Sequence, residues 1–95
     1  MGLMFSKEIE PDRGIILVNR AESRLDSAIH MLFMRYDLTV LWLSRDQVIV
    51  DKVLARKWHP IYLPKKPAQY VLEIHPDEYA NFAIGEQLEL PDLSE

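Results

Sequence analysis

The stretch from His30 to Trp42 reads HMLFMRYDLTVLW, an apolar run that carries a histidine, an arginine and an aspartate. Those three side chains are the usual parts of acid–base chemistry and of anion binding. Their spacing, however, separates them. In an extended strand His30 shares a face with Leu32 and Met34, while Arg35 shares the opposite face with Met31 and Phe33. No nucleophile is placed to be activated by a His–Asp pair, so no catalytic residue is assigned. Arg35-Tyr36-Asp37 is read as a turn or bend between two core strands, with Arg35 held by a carboxylate or by loop carbonyls, because buried charges are retained with partners. Arg35, His30 and Asp37 remain ligand-binding candidates. The alternative function they would serve is an enzyme with a shallow polar site around Arg35 and Asp37.

A second group lies between Lys52 and Lys66. Lys52, Arg56, Lys57, Lys65 and Lys66 have Asp51 as the nearby acid, and Trp58, His59 and Tyr62 are interleaved with them. Basic groups among exposed aromatics are what single-stranded nucleic acid requires. Two features oppose that partner. The chain carries a formal net charge of −4, and the stretch from Glu73 to Glu95 has no lysine or arginine. Nucleic acid is therefore not an expected partner, and the competing reading makes Trp58 and Tyr62 caps over the end of a sheet. Both remain candidate ligand-binding residues.

Metal and cofactor chemistry find no motif. His30, His59 and His75 are far apart, and there is no cysteine, which removes thiolate metal sites, disulfides and thiol nucleophiles. Gly2, Gly14 and Gly85 are isolated, so no phosphate-cradling loop is present. Neither metal nor cofactor is expected.

The elements that must position these groups are short and mostly extended. Gly14 to Val18 is a β-branched apolar run after a Pro11–Gly14 turn, and reads as a buried strand. Asn19 to Ser27 is polar and reads as a loop. Ala28 to Met34 and Leu38 to Leu43 are apolar on both faces, as central strands are. Ser44 to Gln47 reads as a turn into Val48-Ile49-Val50, which continues towards Leu54, and the three segments would form a meander. Three prolines from Pro60 to Pro67 forbid regular structure there. Ala68 to Ile74 alternates as a half-buried strand. Pro76 opens a short helix near residues 76–83, with Asp77 and Glu78 in its first turn and Gly85 as its stop. Gln87 to Leu90 supplies a last strand. The fold class expected is mainly β: a small antiparallel sandwich or partly open barrel with one short helix.

At 95 residues the chain has room for one core, and 48% hydrophobic with 27% charged residues is ordinary for a globular protein. Residues 1–95 are read as one domain. Arg35 and Asp37 interrupt the apolar run from Ala28 to Leu43, so a membrane span is not expected, and the chain is read as soluble and cytoplasmic.

Several of these residues together resemble the domain of unknown function 192 family, a prokaryotic group of small β-rich domains. The resemblance lies in Gly2-Leu3-Met4-Phe5, Gly14-Ile15-Ile16-Leu17, Ile29-His30, Phe33-Met34-Arg35-Tyr36, Pro67-Ala68, Tyr70-Val71-Leu72-Glu73 and Ile84-Gly85-Glu86. It implies a sandwich-like or barrel-like fold and leaves function unassigned, so a binding or interaction module is the expected role. Two departures stand out. Where the family has a proline and, two residues later, an aspartate, this chain has Asp37 and Thr39. The family also has a further strand before the Gly-Leu-Met segment. Without it, a strand such as Gly14 to Val18, which contains no charge, would expose an open edge; a homodimer through that edge is one expectation, and a monomer in which Met1 to Phe5 folds back over the gap is the other.

Overall fold

The computed structural model describes residues 6–8, 14–25, 27–28, 36–59 and 61–90. Six strands are described, β1 (Ser6–Glu8), β2 (Gly14–Ser23), β3 (Leu38–Leu43), β4 (Ile49–Ala55), β5 (Ala68–Ile74) and β6 (Gln87–Glu89), with a 3-10 helix at Pro76–Asn81 before β6. The architecture is mainly β, as the alternation predicts. Strands β2, β5, β3 and β4 lie in that order in one antiparallel sheet, and β1 pairs parallel with β6. The four-stranded sheet is open, with β2 and β4 at its edges.

Both faces of the central strands are covered, which explains their unbroken apolar character. On one face Leu41, Leu43, Leu72 and Ile74 pack with Ile49, Phe82 and Leu88, the last of these from β6. On the other, Val40, Trp42, Ala68 and Val71 pack with Ala55 and the half-buried Tyr62. β5 is thus a central strand buried on two sides, where alternation predicts one buried face. The meander is half realised. β3 and β4 form the expected hairpin, closed by the Ser44 amide on the Val48 carbonyl (2.9 Å) and the Gln47 amide on the Ser44 carbonyl (2.8 Å). The other edge of β3 is occupied by β5. Most of Ala28 to Met34 lies outside the described residues.

Four further expectations are corrected. Asn19 to Ser23 belongs to β2 and not to a loop. Its polarity fits an edge strand, and a register shift between Val18 and Ser23 lets the strand bend there. Gly14 to Val18, the first half of the same strand, is not buried: it lies at the sheet edge with Ile15, Leu17 and Val18 exposed. Lys52 to Ala55 belongs to β4, so the irregular stretch begins only at Arg56. The helix begins at Pro76 as its sequence predicts, but it is a 3-10 turn that ends at Asn81. Gly85 instead forms the turn into β6, at a φ of 99° that favours glycine.

Buried polar groups fix how the elements meet. Trp42 Nε1 donates to the Ser27 carbonyl at 2.6 Å, and Ser27 Oγ donates to the Ala68 carbonyl at 3.0 Å. Asn19 Nδ2 donates to Ser27 Oγ (2.8 Å) and to the Ala68 carbonyl (3.2 Å). Residues of β2, β3 and β5 therefore share one network through a single fully buried serine. Asp51, also buried, accepts the Lys65 amide at 2.8 Å and holds the proline-rich loop against β4. Thr39 Oγ1 donates to the Pro76 carbonyl (3.1 Å), and Lys52 Nζ donates to the carbonyls of Tyr79 (3.0 Å) and Phe82 (2.8 Å), so the helix is tied at both ends.

Replacing Trp42 by phenylalanine removes the indole donor from the buried Ser27 carbonyl. The expected loss is about 1–3 kcal/mol, the usual consequence of leaving a buried polar group unpaired. Urea unfolding followed by far-ultraviolet circular dichroism measures it; an unchanged midpoint would show that the network does not hold the strands.

Candidate functional site

Asp37 and Tyr62 are brought to one place, the exit of β4, and both hold backbone there. Asp37 Oδ1 accepts the Lys57 amide at 2.9 Å and Oδ2 lies 3.7 Å from Arg56 Nη1. The Tyr62 hydroxyl accepts the Arg56 amide at 2.8 Å, and its ring stacks on His59 with centroids 4.3 Å apart. Trp58 follows in the same turn with a φ of 70° and an exposed side chain. Of the cations in the basic stretch, Lys52 faces inward and sits 4.1 Å above the Tyr79 ring, and Arg56 lies against Asp37. His30 and Arg35 lie outside the described residues. Among the described residues there is no group of three or more His, Asp or Glu side chains placed to hold a metal ion.

An apolar recess lies one step along the chain from Asp37. Tyr36 and Leu38 border a cavity of about 300 Å³ at the end of the sheet where β2 begins and β5 finishes. Gly14 and Ile15 form one wall, Ile74, His75 and Pro76 another, and Glu73 supplies a carboxylate. The register accounts for the surroundings of Glu73. It lies in the ladder between Ile15 of β2 and Val40 of β3, so both cross-strand neighbours are apolar. Burial there pushes its carboxyl above the ordinary value of 4.5. Among the described residues no hydrogen bond or ion pair reaches that carboxyl.

Backbone packing keeps the recess in shape. A Cβ on Gly14 would lie 2.1 Å from the Glu73 carbonyl oxygen and 2.7 Å from Ile74 Cγ2, so only glycine lets β2 approach β5 this closely at the cavity wall. His75 is fixed at the rim, its Nδ1 accepting the Asp77 amide at 3.1 Å at the start of the helix. Sequence reasoning missed Glu73 as a site residue because its strand reads as a plain alternation. The available signal was one carboxylate in a strand that has to pair on both edges.

Comparison with known proteins bears on the whole chain. The model of the DUF192 family, described as an uncharacterized ACR, matches residues 1–90. The chain belongs to the DUF192 family. Among similar proteins is a UPF0127 protein of Thermococcus kodakarensis, 42% identical over 72 residues, which cover 76% of this chain and 44% of that one. A UPF0127 protein of Thermococcus gammatolerans is also 42% identical over 72 residues, covering 76% of this chain and 45% of its own. One from Pyrococcus furiosus is 37% identical over 73 residues, covering 77% of this chain and 60% of its own. The DUF192 chain thus spans about half the length of these relatives. No solved structure matches it significantly. No helix among the described residues is long and apolar enough to cross a membrane.

The half-buried carboxyl has a measurable consequence for this DUF192 domain. Its value in the folded protein is above that of the unfolded chain, so folding favours the neutral form. The stability linked to that form is fully present below pH 4.5 and is lost as pH rises through the folded value. Glu73→Gln stays neutral throughout. The variant should therefore match the wild type in acid and melt at a higher temperature at neutral pH. Thermal melts across that range check this; a variant less stable than wild type at neutral pH would mean that the carboxylate is favourably paired.

Proposed function

We propose that this DUF192 domain is a cytoplasmic binding module that takes a small ligand in the recess beside Glu73. The observation that carries the reading is a half-buried carboxyl that has no partner among the described residues and sits in an apolar cavity. Ligand sites are concave and mostly apolar, with few polar groups to fix orientation, and about 300 Å³ is at the small end of their range. A ligand with an apolar body and one amine or hydroxyl donor satisfies both parts of the lining. Leu88 of the β1–β6 pair packs on the sheet, which supports reading that pair as the second layer of a small sandwich. An enzyme centred on Arg35 and Asp37 has less support, since Asp37 is engaged with the Lys57 amide and Arg56.

Small primary alkyl amines are the probe, titrated into isotope-labelled protein and followed by amide chemical shifts. Saturable shifts at Tyr36, Leu38 and Glu73 are expected, with affinity weakened about tenfold in Glu73→Gln, or about 1.4 kcal/mol. Equal binding by the variant, or shifts elsewhere only, would overturn the assignment.

A second reading rests on the edge strand. Among the described residues the outer edge of β2 has no partner, and Ile15, Leu17 and Val18 are 59%, 44% and 53% exposed along it. A second copy pairing antiparallel across a two-fold axis would satisfy that backbone and cover those side chains. Sedimentation equilibrium should then show a dimer that Leu17→Lys converts to monomer. A wild-type monomer at all concentrations removes this reading and leaves the recess unaffected.

A further inference from the structure

The opposite end of the β2–β5 pair carries a different cavity, of about 420 Å³, and its lining is polar where the first is apolar. Arg20 and Glu22 border it from β2, Gln69 and Tyr70 from β5, and Arg45 from the turn between β3 and β4. One contact brings the turn to that position: the Arg45 amide donates to Glu22 Oε2 at 3.0 Å. The carboxylate is thereby engaged with backbone. The functional ends of the other four side chains are not. Among the described residues no carboxylate pairs with the guanidinium of Arg20 or Arg45, and neither the Gln69 amide nor the Tyr70 hydroxyl has a hydrogen-bond partner.

We propose that this cavity binds a small oxyanion group, a phosphate or a carboxylate. Two arginines against one glutamate leave a local positive charge on a chain whose net charge is −4. A guanidinium offers paired donors in a planar fork that fits two oxygens of such a group, and the Gln69 amide and Tyr70 hydroxyl add neutral donors. Both arginines are exposed, so solvent and salt screen the attraction and binding weakens as salt is added. The site lies on the turn-proximal end of β5, whereas Glu73 lies near its helix-proximal end, so neither assignment depends on the other.

Inorganic phosphate and acetate, titrated separately with sodium chloride at matched ionic strength as the control, decide the matter by amide chemical shifts. Saturable shifts at Arg20, Arg45 and Tyr70 with either oxyanion, larger than those with chloride and abolished in the Arg20→Gln, Arg45→Gln double variant, are expected. The arm that saturates at lower concentration identifies phosphate or carboxylate as the preferred group. Shifts equal to those of chloride, or retained in a double variant whose melting temperature is unchanged, would overturn the proposal. Because neither guanidinium is paired among the described residues, the double variant is expected to fold normally.

Discussion

The central place of β5 is the constraint on which the rest of the structure depends. Residues 68–74 pair with β2 on one side and with β3 on the other, although both partners come much earlier in the chain. That arrangement requires apolar side chains on both faces of β5, and Ala68, Val71, Leu72 and Ile74 are all buried. It also requires the strand's polar positions to be tolerated or used. Gln69 and Glu73 are the two polar side chains of β5, and each borders a cavity at its own end of the strand.

The two ends differ because different elements close over them. At the Glu73 end the wall is made by the start of β2, where Gly14 allows an approach that no side chain would permit, and by the helix that Thr39 and Lys52 hold in place. Apolar neighbours dominate there, so the carboxyl is desolvated. At the Gln69 end the hairpin turn and the bent part of β2 bring arginines together, and solvent is close. One strand thus carries an apolar recess with a half-buried carboxyl at one end and a polar recess lined by arginines at the other. The Ser27 network ties β2, β3 and β5 together at the Ala68 end of the strand.

Much of the fold was legible in the residues. Leu38 to Leu43 reads as a central strand because six consecutive apolar or β-branched positions leave no face for solvent, and Pro76 with two following acids marks the helix start. The polar half of β2 was not legible. Asn19, Arg20 and Glu22 suit an exposed loop as well as an edge strand, and what decides between them is the long-range bond from Asn19 to the Ala68 carbonyl. The site was less legible still. Asp37 attracts notice as a charge in an apolar run, yet it serves the Lys57 amide. Glu73 stands in an unremarkable alternation and acquires its character from Ile15 and Val40, which lie 58 and 33 residues away in sequence. Local pattern reports a residue's own chemistry; the cross-strand neighbours that desolvate it are set by topology.

A direct test of the account is the titration of the Glu73 side-chain carboxyl, observed by carbon-detected nuclear magnetic resonance in the folded protein. A midpoint above 4.5 is predicted, since burial between two apolar neighbours opposes the charged form and no donor among the described residues offsets it. A midpoint at or below 4.5 would contradict it, because a carboxylate so stabilised would have to be solvated or already paired.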